Sequence, residues 1–118
     1  MVSISGITIS NGSASFGGGI YNYTGILTVT DSTISDNAAD YAGGGIFNDE
    51  GTLTIIGSTL STNSAGRGGG FANGYGGITA IRASTINRNT TTSYGGGVYS
   101  EGFDIGQGPP GPSSPTPP

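Results

Sequence analysis

Apolar side chains return along this chain at a long and steady interval. Ile9, Ile34, Leu60 and Ile86 follow one another at steps of 25, 26 and 26 residues. Five positions before each stand Ile4, Val29, Ile55 and Ile81, and two before those stand Val2, Leu27, Leu53 and Thr79. Leu53-Thr54-Ile55 alternates apolar and polar, the period of a short strand with one face turned inward. Glycine triplets begin at 17, 43, 68 and 95, each followed by another apolar column, Ile20, Ile46, Phe71 and Val98. Two residues further on stand Asn22, Asn48, Asn73 and Ser100. Each unit thus offers about three short strands separated by turn residues, and helical periodicity is absent.

A repeat of about 26 residues built from strands and turns specifies stacked units in place of one globular core. The pattern predicts an all-β fold, a parallel β-helix (solenoid) of about four coils of 25 to 27 residues over positions 1–105. In-register stacking sets like over like about every 4.8 Å, so Ile, Val and Leu pile up and Asn amides bond along a ladder. The glycine triplets allow a sharp turn with backbones in close approach. A polar corner after the Ile9 column is placed at Asn11, Asn37, Asn63 and Asn89, the first unit being one residue shorter. Four coils alone are marginal in stability, and their open strand edges recruit other chains, so further coils of the same or another chain are expected to cap the ends. From Gly106 the pattern stops, and 106–118, which holds all six prolines, reads as a disordered Pro/Gly/Ser-rich linker or tail.

Composition narrows the functional classes. Charged residues make up only 8%, and the net charge of -4 sets seven acids against Arg67, Arg82 and Arg88. No basic face for a phosphate backbone can be assembled from three cations, so nucleic acid is not an expected partner. Without Cys or His there is no disulfide framework and no thiolate or imidazole metal site, and no cofactor is expected. No run approaches the ~20 apolar residues of a membrane-spanning helix. Residues 1–10 do not read as a signal sequence, so an export signal, if used, is expected upstream.

The four Gly-Gly-Gly-(Ile/Phe/Val)-x-(Asn/Ser) motifs, each preceded by a segment such as Thr28 to Asn37, resemble the repeats of right-handed parallel β-helix proteins of the pectin-lyase-like kind. They are similar in particular to the polymorphic outer membrane proteins of bacteria, whose repeats carry Gly-Gly-Ala-Ile and Phe-x-x-Asn motifs. The likeness covers roughly residues 2 to 103 and departs at the motif, where a third Gly replaces Ala and Phe is mostly missing ahead of Asn. The resemblance implies a right-handed coil, an extracellular or cell-surface location, and a role as adhesin or passenger domain.

Parallel β-helices also host polysaccharide lyases and glycoside hydrolases. A lyase of that kind needs Ca²⁺-binding carboxylates and a basic residue that abstracts a proton. Asp31, Asp36, Asp49 and Glu50 with Arg82 and Arg88 are the available groups, but the repeat sets Asp31 over Gly57 and Ala83, and Asp36 over Thr62 and Arg88. No catalytic, cofactor-binding or metal residue is therefore assigned. Tyr21, Phe47 and Tyr99 share one column, interrupted by Ala72, and could stack on sugar rings, with Tyr23, Tyr41, Tyr75 and Tyr94 nearby. Asn11, Asn22 and Asn89 head Asn-x-Ser/Thr triplets. The leading reading is a non-catalytic β-helical module of a cell-surface or secreted protein, adhesive or structural, with polysaccharide or host and cell-surface components as partners. The alternative is a partial polysaccharide lyase or glycoside hydrolase of pectin-lyase-like fold.

Overall fold

The computed structural model describes residues 1–94 and 96–100, with the side chain of Tyr94 outside the description. The expected tail at 106–118 lies outside the described residues, as do Glu101 and Asp104. The first coil runs β1 (Val2–Ser5), β2 (Thr8–Ser10), β3 (Ser13–Phe16) and β4 (Ile20–Tyr23). The second runs β5 (Ile26–Thr30), β6 (Thr33–Ser35), β7 (Ala38–Ala42) and β8 (Ile46–Asp49). The third runs β9 (Thr52–Ile56), β10 (Thr59–Ser61), β11 (Ser64–Arg67) and β12 (Phe71–Asn73). The fourth runs β13 (Ile78–Arg82), β14 (Thr85–Asn87), β15 (Thr90–Tyr94) and β16 (Val98–Ser100). Every strand pairs in parallel with its equivalent one coil away, giving four walls ordered β1-β5-β9-β13, β2-β6-β10-β14, β3-β7-β11-β15 and β4-β8-β12-β16. The molecule is a parallel β-helix of four coils.

The apolar columns of the sequence are files inside this tube. Ile4 pairs with Val29, Val29 with Ile55 and Ile55 with Ile81. Ile9, Ile34, Leu60 and Ile86 form a second file, and Ile20, Ile46, Phe71 and Val98 a third. Val29, Ile34, Ile46, Leu53, Ile55, Leu60 and Phe71 are fully buried, whereas the outermost Ile4, Ile9, Ile20, Ile86 and Val98 are only partly covered. Each interior side chain is sealed by the coils on either side of it, and an end coil has only one such neighbour among the described residues.

Two expectations need correction. Each coil has four strands, not three, because the variable stretch before the glycine triplets is itself the third wall. Its covered positions are small, Ala39 and Ala65, so no branched apolar column marks it in the sequence. It also carries a register shift in every pairing. Ser13 and Ala14 pair with Ala38 and Ala39 at a step of 25, but Phe16 pairs with Ala42 at a step of 26. The missing residue of the first coil therefore lies in β3, not at the Asn corner. Consequently Asn11 does not stand over Asn37: its N–H donates to the Asp36 carbonyl, and Gly12 occupies the level of Asn37.

Three polar ladders run beside the apolar files. Asn22 Nδ2 donates to Asn48 Oδ1 at 2.8 Å, and Asn48 Nδ2 to Asn73 Oδ1 at 2.9 Å. Thr79, the one polar member of the Val2 column, turns its hydroxyl to Asn73 Oδ1 at 3.1 Å. At the corner between second and third walls, the N–H and Nδ2 of Asn37 both donate to Asn63 Oδ1, and those of Asn63 to Asn89 Oδ1. A serine ladder that the sequence reading overlooked joins the first and second walls: Ile7 N–H to Ser32 Oγ, Ser32 N–H to Ser58 Oγ and Ser58 N–H to Ser84 Oγ. The residue before each rung turns the chain through the left-handed region. Asp31, Gly57 and Ala83 precede the serines and Asp36, Thr62 and Arg88 the asparagines, all with φ between 48° and 58°.

Replacing Asn48 by Ala removes the middle rung of the inner ladder while leaving the Gly51 carbonyl, which it caps, without its donor. At roughly 1–3 kcal/mol for each buried polar group stripped of a partner, Asn48→Ala is expected to lower unfolding stability by about 3 kcal/mol in a urea melt. Tyr75→Ala, at a turn residue 69% exposed, is expected to stay within about 0.5 kcal/mol of the parent.

Candidate functional site

Alternation along the fourth wall sends Ile20, Asn22, Ile46 and Asn48 inward and Tyr21 and Phe47 outward. Phe47 is nevertheless buried, and so is the outward Ala72 that pairs with it. Both lie with Ala42 in a second apolar cluster, separate from the tube interior, and Tyr99 packs on it. The glycine triplets create this cluster. A Cβ at Gly44 would collide with the Ser64 and Gly69 carbonyls, and one at Gly43, where φ is +68°, with the Ile46 carbonyl. The chain doubles back with its backbones in contact, so the third and fourth walls meet at an inner angle and their outward side chains touch.

Five aromatic rings line that angle across the first two coils. Phe16 lies 5.0 Å from Phe47 and 5.4 Å from Tyr41, and Tyr21 lies 5.7 Å from Phe47 and 6.5 Å from Tyr23, centroid to centroid. Tyr21, Tyr23 and Tyr41 are more than half exposed. Beside them opens a shallow groove of about 520 Å³, with Phe16, Tyr41 and Phe47 as its apolar side and Asp40, Arg67 and Ser93 among its polar ones.

The expected column of Tyr21, Phe47 and Tyr99 exists in register, but its members differ in surroundings. Tyr21 is half exposed with its hydroxyl on Asp49, Phe47 is buried in the cluster, and Tyr99 carries the Arg67 guanidinium 5.5 Å above its ring. Phe16 and Tyr41 come from the third wall, which the sequence reading did not resolve as a strand. The available signal was position: Phe16, Ala42 and Arg67 each immediately precede a glycine triplet. Tyr75 stands exposed on a turn apart from the cluster contacts, and the Tyr94 side chain lies outside the described residues.

The acids fall into two groups. Asp31 and Asp36 sit on left-handed corners, over Gly57 and Thr62 as the repeat requires. Asp40, Asp49 and Glu50 instead border the aromatic rings. Asp49 Oδ2 accepts the Tyr21 hydroxyl at 2.8 Å, and that hydrogen bond, then desolvation and the charges of Asp49, Tyr23 and Glu50, raise the phenol's pKa above its ordinary value. Among the described residues no group of three or more acids is placed to hold a metal ion. Of the Asn-x-Ser/Thr asparagines, Asn22 and Asn89 are committed to ladders while Asn11 is exposed.

Because a neutral phenol donates to Asp49 and a phenolate beside it is repelled, Tyr21 holds its proton as pH climbs past the usual tyrosine range. Absorbance titration of the tyrosines should show this phenol ionising late, and Asp49→Asn should bring it back toward the others.

The profile of the Chlamydia polymorphic membrane protein (Chlamydia_PMP) repeat matches residues 31–49. That segment is the second coil from its left-handed Asp31 to the end of β8, and so includes Ser32, Ile34, Asn37, the Gly43 triplet, Phe47 and Asn48. No curated protein and no solved structure matches the chain. Match and fold agree: this chain is a parallel β-helix carrying a repeat similar to that of the Chlamydia polymorphic membrane proteins.

Proposed function

We propose that the chain is a non-catalytic module of a cell-surface or secreted protein, adhesive or structural, that meets its partners through the side wall of the coil stack. The observation that carries this reading is the row of exposed rings at Phe16, Tyr21, Tyr23 and Tyr41, held on two adjoining walls whose every strand is locked to the next coil. A rigid face of repeated shallow features suits adhesion to polysaccharide or to host and cell-surface components. The similarity of residues 31–49 to a membrane-protein repeat supports a surface location. Asp31 over Gly57 and Asp36 over Thr62 set no second carboxylate above either acid, which weighs against a cleaving pair at those corners.

Among the described residues β1–β4 and β13–β16 have a neighbouring strand on one side, and the half-covered Ile4, Ile9 and Ile20 lie at one of these ends. Further coils, from the same or another chain, are the natural cover for both. Coating beads with the protein and scoring attachment to cells and to immobilised neutral and acidic polysaccharides tests the module reading. Attachment without cleavage is expected, and release of sugar products would overturn it. In sedimentation the isolated chain is expected to associate with rising concentration; a monomer that melts cooperatively at all concentrations would contradict the need for end coils.

A further inference from the structure

We propose that the aromatic angle between the third and fourth walls docks a cationic segment of a protein partner, with arginine or lysine side chains lying on Tyr21, Tyr23 and Tyr41 between Asp40, Asp49 and Glu50. This rests on the adhesive reading of the same face and gives it a partner chemistry.

The register shift in the third wall builds one end of the site. Between the buried Ala39 and Ala42 stand two residues, Asp40 and Tyr41, where β3 has only Ser15 between Ala14 and Phe16. The extra residue turns both Asp40 and Tyr41 to solvent, so a carboxylate and a phenol ring emerge side by side at the groove. The other end is built by β4 and β8: Tyr23 pairs with Asp49, Asp49 fixes the Tyr21 hydroxyl, and Glu50 follows at the corner with its charge sensed by Tyr21. Three acids thus flank a continuous row of five rings within two coils.

A cation over an exposed ring gains a modest amount, more as docking removes water from it, and the neighbouring carboxylates add their own attraction. The protein already uses that contact on this side, where Arg67 lies over Tyr99. Arg67 lines the same groove, one cation against the three acids, while Arg82 at the end of β13 and Arg88 on a corner of the second wall lie elsewhere, so an anionic ligand would meet more repulsion than attraction here. The net charge of -4 further steers a basic partner inward. A neutral glycan could use the rings, but one Asp49 oxygen is already occupied by Tyr21.

The test uses the full chain with a labelled octa-arginine peptide as probe and mannohexaose as the uncharged comparison, read by fluorescence anisotropy at low and high salt. Binding of the peptide is expected to fall about tenfold or more in the Asp40→Asn/Asp49→Asn/Glu50→Gln variant, and severalfold in Tyr23→Leu/Tyr41→Leu. Asp31→Asn/Asp36→Asn, which removes two charges from distant corners, is expected to change it less than about twofold. Far-UV circular dichroism establishes that each variant keeps its strands. Equal losses in the distant pair, or no loss in the leucine pair, would reduce the effect to bulk charge and overturn the proposal. Mannohexaose binding that the peptide cannot displace would overturn it in favour of a glycan. Bead attachment that survives in the triple variant would leave the module reading standing while overturning this one.

Discussion

Parallel, in-register pairing of each coil with the next is the constraint on which everything else depends. In a β-helix the strand N–H and C=O groups point along the axis, so a coil can be satisfied only by another coil of the same outline. That requirement repeats the apolar files Ile4-Val29-Ile55-Ile81 and Ile9-Ile34-Leu60-Ile86, and it dictates where length can vary. The third wall absorbs single-residue differences in each of its pairings, and the path from Asn73 to Ile78 is one residue longer than that between their partners Asn48 and Thr52. Everywhere else the register is unbroken, because a slip would turn a whole file outward.

The same geometry allows polar groups inside the tube. An Asn side chain has both a donor and an acceptor, so identical residues stacked along an axis complete one another. Asn48 and Asn73 are fully buried on those terms, and no buried side-chain nitrogen or oxygen among the described residues lacks a partner. Where the file changes chemistry, its neighbour compensates: Thr79 replaces the leucine of the coil before and gives its hydroxyl to Asn73. Ser32, Ser58 and Ser84 do at one corner with a hydroxyl what Asn37, Asn63 and Asn89 do at the next with an amide.

On the outside of the tube repetition is relaxed. The glycine triplets serve the stack by letting carbonyls occupy the space a Cβ would need at Gly44. In closing that corner they also bring Phe16, Tyr41 and Phe47 together from two walls. A surface feature therefore arises from a structural necessity, and its exposed rings and carboxylates vary from coil to coil because the backbone pairing between coils does not depend on them, even though the Tyr21 hydroxyl bonds Asp49.

The order of the residues alone determined the β-helix, its four coils, its three apolar files and the Asn22-Asn48-Asn73 ladder, since stacking like on like writes itself into the sequence as a period. The sequence could not reveal the third wall, because Ala39 and Ala65 fill its covered positions and its shifted register blurs the period. Nor could it place Asn11, since a one-residue difference can be assigned to any point between two columns until backbone pairing fixes it. The meeting of Phe16 and Tyr41 with the Tyr21 and Phe47 column was decided by tertiary structure, because residues on two walls come together only through the distance that the fold closes across the corner.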